Sequence, residues 1–234
     1  MLLSYFNIKK QVLERIKMKK ILLTAFSMML IATSAFAVSI GVSGTALYYD
    51  ASGTETTKSS SELNSTDEDG VAPIASFFIE NETAAGGTIG IEVIPYGAKV
   101  ATGSMSSDDD LETSGTNDVD VNFSNSITVY IENPIDSPLE GSFLKVGLSS
   151  IEIETDETLA TGSTYGDERI MGLTVGFGTK RETTNGGFVK LVGEISRFQG
   201  ATFESAADAD SVRNSIELDD FNTAAFRLSV GKSF

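Results

Sequence analysis

Polar and apolar residues alternate along most of the chain beyond residue 37. A period of two places successive side chains on opposite faces of a β-strand. No helical periodicity of useful length follows residue 37, so an all-β protein is expected. Eight segments carry the alternating pattern: 38–50, 71–81, 88–100, 119–132, 141–153, 169–180, 187–199 and 221–234.

The connections between these segments alternate between long and short. The short ones, "ETAAGG", "NPIDSPLE" and "RETTNG", are built from Gly, Pro, Asn and Asp, which favour tight turns. This spacing predicts an antiparallel meander with tight turns at one end and long loops at the other, as in outer-membrane barrels. The predicted long loops are 51–70, 101–118, 154–168 and 200–220.

The composition of the two strand faces favours a membrane barrel over a soluble β-sandwich, which also alternates. The polar face is rich in Gly, Ser and Thr, which suits a narrow barrel interior. The apolar face carries no charge in mid-strand, and Arg197 and Lys232 lie near strand ends. A charge at the lipid-facing midplane costs about 2–4 kcal/mol. We therefore predict an all-β, antiparallel up-and-down transmembrane β-barrel of eight strands; ten strands would need an extra hairpin at Ser211–Leu218.

The aromatic residues predict two girdles, one at each membrane interface. The expected periplasmic girdle contains Phe77, Phe78, Tyr130, Phe143, Phe177, Phe188 and Phe234, and the expected outer girdle contains Tyr48, Tyr49, Tyr96, Phe198 and Phe221.

The N-terminus has the pattern of a secretory signal peptide at 18–37. Lys19 and Lys20 precede a short apolar run, and Ala35-Phe36-Ala37 matches a small-x-small cleavage site, which places the cut between Ala37 and Val38. The apolar run is short for a membrane anchor, which needs about 20 residues. Residues 1–17 are interpreted as a mis-assigned upstream start, and 38–234 as the barrel domain.

Composition excludes several functions. The chain has no cysteine and no histidine, so disulfides, thiolate sites and histidine-based catalysis are absent. Removal of 1–37 takes six basic residues and one acidic residue, which lowers the net charge from −16 to −21. A chain this acidic lacks the basic footprint of a nucleic-acid-binding protein. No cofactor is expected.

The terminal strand carries the resemblance to a known class. Phe226, Leu228, Val230 and Phe234 form an apolar row that ends on an aromatic residue. Together with the architecture, it resembles the small eight-stranded outer-membrane β-barrels of Gram-negative bacteria, of the OmpA-transmembrane, OmpX and OmpW kind. The resemblance covers 38–234 and implies that the outer-membrane assembly machinery reads these four residues. Lys232 departs from the class, which usually has an apolar or aromatic residue there.

The same resemblance implies a location in the bacterial outer membrane, with extracellular loops and both termini in the periplasm. It also implies a monomer in contact with outer-membrane lipid and lipopolysaccharide, with an extracellular ligand or phage as a further candidate partner.

Six charged residues fall on the inward face and are candidate lumen residues: Glu80, Glu92, Lys145, Lys190, Glu194 and Arg227. Their strands and positions predict an ion pair between Glu194 and Arg227, since paired charges are the expected state where water is scarce. One interpretation is a salt-bridged lumen that holds the barrel closed, and the other is a charged constriction in a narrow pore.

Three acidic runs lie in or beside the predicted outer loops: Asp67–Asp69, Asp108–Glu112 and Glu217–Asp220. Such oxygen-only clusters take divalent cations, which would bridge to lipopolysaccharide phosphates, but no run has the spacing of a calcium loop. The known enzymes of this barrel class use a histidine, so a non-enzyme is expected. Two functions remain: a structural or surface-interaction barrel acting through acidic loops, and a narrow porin-like channel for ions or small solutes.

Overall fold

The computed structural model describes residues 37–57, 62–107, 115–158, 165–205 and 215–234. Within these ranges there is no helix long and apolar enough to cross a bilayer. Ten β-strands follow in chain order: β1 Val38–Thr57, β2 Glu62–Glu82, β3 Thr88–Ile94, β4 Ala98–Ser107, β5 Gly115–Pro134, β6 Ser142–Thr158, β7 Glu168–Glu182, β8 Gly187–Phe198, β9 Ala201–Glu204 and β10 Ser215–Ser233.

These strands form one closed antiparallel barrel with eight positions in its wall. β3 and β4 both pair with β5, and β8 and β9 both pair with β10, so each couple is one interrupted strand. β1 pairs with β2 on one side and with β10 on the other, which closes the wall. The predicted eight-stranded barrel is therefore confirmed. Residues 215–218 of the ten-strand alternative belong to β10, and 211–214 lie outside the described residues.

One end of the barrel, here called the turn end, contains the start of β1, the end of β10 and the tight turns. The backbone N–H of Phe234 donates to the carbonyl of Val38 at 2.9 Å. Two of the turns have the same hydrogen bonds: Thr83 and Thr183 each donate a backbone N–H to the glycine four residues later, at 2.7 Å. Gly86 and Gly186 adopt φ of 79° and 75° in these turns, which favours glycine over any residue with a Cβ.

At the opposite end, here called the hairpin end, the strands run well beyond the predicted segments. β1, β2 and β5 have 20, 21 and 20 residues, whereas about 9–11 tilted residues cross a membrane. The predicted long loops are thus wrong in their bounds, because much of 51–70, 101–118, 154–168 and 200–220 continues the strands. Alternation weakens there because polar residues occupy both faces of these strand ends.

The outer surface of the wall is apolar, as the alternation predicts. On β10, Phe226, Leu228 and Val230 expose 56%, 51% and 48% of their surface, and Phe234 exposes 72%. The intervening Ser229 is buried on the inside. The four residues of the predicted assembly signal therefore lie on the outer face.

The prediction of two aromatic girdles is wrong for several of its members. Tyr48, Phe77, Tyr96, Phe177 and Phe234 are exposed, but seven others are buried, namely Tyr49, Phe78, Tyr130, Phe143, Phe188, Phe198 and Phe221. Aromatic residues occur at both parities of the alternating pattern. Aromatic character alone therefore did not show whether a side chain faces the lumen or the outside of the barrel.

Buried aromatic rings lie over glycines of the neighbouring strand. In each case the two residues are direct cross-strand partners, and a Cβ on the glycine would overlap the ring. The glycine thus makes space for a ring inside a barrel too narrow for two large side chains. The described pairs are Gly41 with Phe78, Gly70 with Tyr49, Gly90 with Tyr130, Gly172 with Phe198, Gly178 with Phe143, and Gly231 with Phe188.

Candidate functional site: the closed lumen

Among the described residues, seven buried or nearly buried charged side chains point into the barrel from six strands. Each alternates with apolar residues that face outward, so the pleat of the strands places the charges inside. Burial is nearly complete for six of them, and the side chain of Arg227 retains 12% of its exposure. They are Glu80 on β2, Glu92 on β3, Glu132 on β5, Lys145 on β6, Lys190 and Glu194 on β8, and Arg227 on β10.

The lower ion cluster, nearer the turn end, is centred on Lys190. Its ammonium contacts the carboxylates of Glu80 and Glu132, the latter at 2.5 Å from Oε2. The hydroxyl of Tyr130 donates to Oε1 of Glu80 at 2.6 Å. Three aromatic rings surround the same ammonium, with centroids 5.4–5.8 Å away, which adds cation–π attraction; they are Phe78, Phe143 and Phe188.

The upper ion cluster contains two cations between two carboxylates. Nζ of Lys145 lies 2.8 Å from Glu194 and 3.7 Å from Glu92. Arg227 contacts both of these carboxylates with its guanidinium. The ammonium of Lys145 also lies 4.5 Å from the ring centroid of Tyr130, which links the two clusters. Each cation therefore bridges two carboxylates on different strands.

A small cavity of about 60 Å³, lined by both polar and apolar side chains, lies above the upper ion cluster. Side-chain hydroxyls line one wall and bond in sequence across four strands. Thr128 bonds Ser149 at 2.9 Å, Ser149 bonds Thr174 at 3.1 Å, and Thr174 bonds Ser196 at 2.7 Å. This volume has room for a few water molecules.

An apolar cap lies in the lumen toward the hairpin end. Its rings pack edge-on or tilted: Phe123 to Phe221 and Phe198 to Phe221 at 5.1 Å, and Tyr49 to Phe123 at 6.5 Å. The buried members of the cap are Tyr49, Phe123, Ile151, Ile153, Ile170, Phe198, Phe203 and Phe221. The ion clusters, the cavity and the cap thus follow one another along the lumen from the turn end to the hairpin end.

The six charged residues predicted for the lumen are buried or nearly buried inside the barrel, and Arg227 contacts Glu194. Sequence reasoning missed Glu132 and Tyr130. Both have the inward parity of Thr128 on β5, so the alternation in "TVYIE" contained the signal. Tyr130 belongs to the predicted periplasmic girdle, and Glu132 is the last residue of its predicted strand, 119–132.

Two of the three predicted acidic runs lie within the described residues. Asp67, Glu68 and Asp69 are exposed on β2, and Glu217, Asp219 and Asp220 are exposed on β10, while 108–112 lie outside the described residues. Nowhere in the described ranges do three acidic side chains converge as a metal site would require. The predicted leader up to residue 36 also lies outside the described residues, whereas the predicted cut between Ala37 and Val38 falls at the start of β1 and stays a prediction.

Comparisons with known proteins place the fold. No protein-family model matches the chain, and no curated protein matches its sequence. Among solved structures, the outer membrane protein OprG from Pseudomonas aeruginosa is similar over 86% of this chain and 96% of its own, with a TM-score of 0.53 and 11% identity.

Two further outer-membrane proteins are similar with lower scores. AlkL, solved in lipid bilayers, matches over 85% of this chain and 90% of its own, with a TM-score of 0.48 and 12% identity. The outer membrane protease OmpT from Escherichia coli matches over 86% and 99%, with a TM-score of 0.46 and 11% identity. The likeness to OprG shows the fold, and the predicted class of small outer-membrane barrels is confirmed at that level.

Proposed function

We propose that this protein is an outer-membrane β-barrel with a closed lumen, whose function is a structural or surface-interaction role carried by its projecting hairpins. The observation that carries the proposal is the filled interior. Three cations bridge four buried carboxylates, and the apolar cap lies above them. In a barrel sealed in this way, the outer surface and the projecting hairpins are the parts that can contact other molecules.

The alternative function, a narrow porin-like channel, is less well supported. A conducting pore needs sites that an ion enters and leaves readily. Here each lumen cation already contacts two carboxylates, and the cavity above them measures only about 60 Å³. Conduction would require these contacts to break and the apolar cap to move.

The remaining parts of the proposal concern location and partners. The termini lie in the periplasm and the hairpin end outside the cell, and the apolar outer face of the wall contacts membrane lipid and lipopolysaccharide. The assembly machinery reads the outward row of β10 that ends at Phe234. The protein acts as a monomer and not as an enzyme, which the absence of histidine supports.

Planar-bilayer recordings test the closed lumen. We expect the refolded chain 38–234 to give no discrete conductance steps, because the ion clusters and the apolar cap occupy the lumen. Heat-dependent gel mobility serves as the control that the inserted protein is folded. Steps that change when Glu194→Gln or Arg227→Gln is introduced would instead make the protein a small channel with a charged constriction.

Cysteine labelling tests the orientation, and the chain is suited to it because it contains no cysteine. Ser65→Cys on β2 is expected to react with a membrane-impermeant maleimide on intact cells. Asn185→Cys, in the turn between β7 and β8, serves as the matched control and is expected to react only after the outer membrane is permeabilised. Both positions are exposed. The opposite labelling pattern would reverse the proposed orientation.

A further inference from the structure

The wall of the barrel divides into two sheets at the hairpin end. One sheet has the order β9–β10–β1–β2, since the register of β1 with β2 continues to Thr57 and Glu62. The other has the order β4–β5–β6. Across the described ranges, β4 pairs with β5 alone, so no strand pairing joins β2 to β4, although the two strands approach each other closely over part of their length. The seam between β2 and β4 therefore leaves one edge of β2 without a partner strand.

The lower part of this seam is closed by two local features. Pairing between β2 and β3 ends at Phe77 with Val93. Just above, the backbone N–H of Ala75 donates to the hydroxyl of Tyr96 at 2.5 Å. Pro73 lies two residues closer to the hairpin end than Ala75. It has no backbone N–H that would need a hydrogen-bond partner, and for this reason proline is tolerated on a strand edge. Within the apolar band the seam thus leaves few backbone donors unpaired, as a lipid environment requires.

Above Pro73 no described strand pairs with the seam-facing edge of β2. The N–H and C=O of one residue point to the same side of a strand, and successive residues point to opposite sides. Since the N–H of Ala75 faces the seam, those of Val71, Asp69 and Asp67 do so as well. The opposite edge of β2 remains paired with β1 throughout this stretch. A row of unpaired groups on an ordered strand is a template for an added strand.

The charges along this edge indicate what kind of strand fits it. Asp67, Glu68 and Asp69 are consecutive and exposed, so carboxylates project on both faces of β2. Within the described ranges no ion pair reaches these three residues. A second copy of β2, paired antiparallel about Glu68, would place acidic residues opposite acidic residues, which is unfavourable.

We propose that the free edge of β2, from Val71 to Ser65, binds an extended, Lys- or Arg-rich segment of another polypeptide as an added strand. Backbone hydrogen bonds supply the pairing, and the acidic residues select a basic partner. The proposal names a partner for the surface-interaction function. It rests on the proposed function in one respect: the hairpin end must be accessible outside the membrane.

The test uses the folded barrel in a non-ionic detergent and a short synthetic peptide in which Lys alternates with Val and Thr. We expect binding by fluorescence anisotropy, and slower amide hydrogen exchange at Asp67, Asp69 and Val71 in the complex, by about tenfold or more. The amides of Glu68 and Gly70 should change little, because the pairing with β1 already protects them. Binding without this alternating protection would overturn the proposal.

Three controls separate strand addition from simple charge attraction. An N-methylated version of the same peptide keeps its charge but cannot pair, and it is expected to bind several-fold more weakly. The triple variant Asp67→Asn, Glu68→Gln, Asp69→Asn should lose most of the affinity. The matched triple variant Glu217→Gln, Asp219→Asn, Asp220→Asn removes the same charge from β10, away from the edge, and should keep it.

A backbone variant completes the design. Val71→Pro removes a seam-facing N–H that makes no bond to β1, so the barrel should still fold, as gel mobility can verify, while peptide binding weakens. Equal binding by the N-methylated peptide, or by Val71→Pro, would refute strand addition. Failure of this experiment leaves the closed-lumen proposal standing, since conductance tests that proposal separately.

Discussion

Replacing Lys190 by Met is expected to lower the free energy of unfolding by about 3–5 kcal/mol. The ammonium contacts Glu80 and Glu132, and all three side chains are at most 7% exposed. Met nearly conserves the volume but leaves two carboxylates in a lumen with little water. The measurement is reversible urea unfolding in lipid vesicles, followed by far-UV circular dichroism because the chain has no tryptophan.

The matched control is Lys232→Met, the same substitution at an exposed position near the end of β10. It should change stability by no more than about 0.5 kcal/mol. Combining Lys190→Met with Glu80→Gln and Glu132→Gln should recover a large part of the loss, because the buried charges disappear together. A loss below about 1 kcal/mol for Lys190→Met alone would contradict the role of this cluster in holding the lumen closed.

Gly41→Ala is expected to destabilise the barrel by about 1–3 kcal/mol through overpacking. Gly41 faces the lumen on β1, and a Cβ there would overlap the ring of Phe78 and the backbone carbonyl of Val230. The ring has little room to move, because it packs 6.1 Å from the ring of Phe188. The same urea titration measures the effect.

Gly44→Ala on the same strand is the matched control for this prediction. A Cβ at Gly44 meets no atom within 4 Å, so the expected change is within about 0.5 kcal/mol. Gly41→Ala combined with Phe78→Leu should recover part of the loss, since the smaller side chain vacates the space above the glycine. Equal effects of Gly41→Ala and Gly44→Ala would show that the space beneath the ring is not needed.

Strand alternation made much of the architecture predictable. On β10 the sequence "FRLSV" separates Phe226 and Leu228 from Arg227 and Ser229, and the structure places the two sets on opposite faces. The same parity identified the six predicted lumen charges. It works because a pleated strand has a strict period of two, whatever its partners are.

Prediction failed where composition did not distinguish the two environments. Tyr130 and Phe143 are apolar enough for the lipid face, yet both fill the lumen, where glycines on the neighbouring strands make room for them. The ends of the strands were also missed, because β1 and β2 leave the apolar band near Tyr48 and Val71 and continue as a polar hairpin. The strands remain hydrogen-bonded to each other in these polar ends, but no apolar face is present to make them recognisable in the sequence.

The sequence by itself determined that the chain is an eight-stranded barrel with an apolar outside and a charged inside. Only the tertiary structure decided which charges meet. Lys190 reaches Glu80 and Glu132 across 110 and 58 residues of sequence, and Lys145 and Arg227 share Glu92 and Glu194. Alternation sets the face of a residue, whereas its height in the lumen depends on the register of every strand pair around the closed wall. That register is a property of the whole barrel.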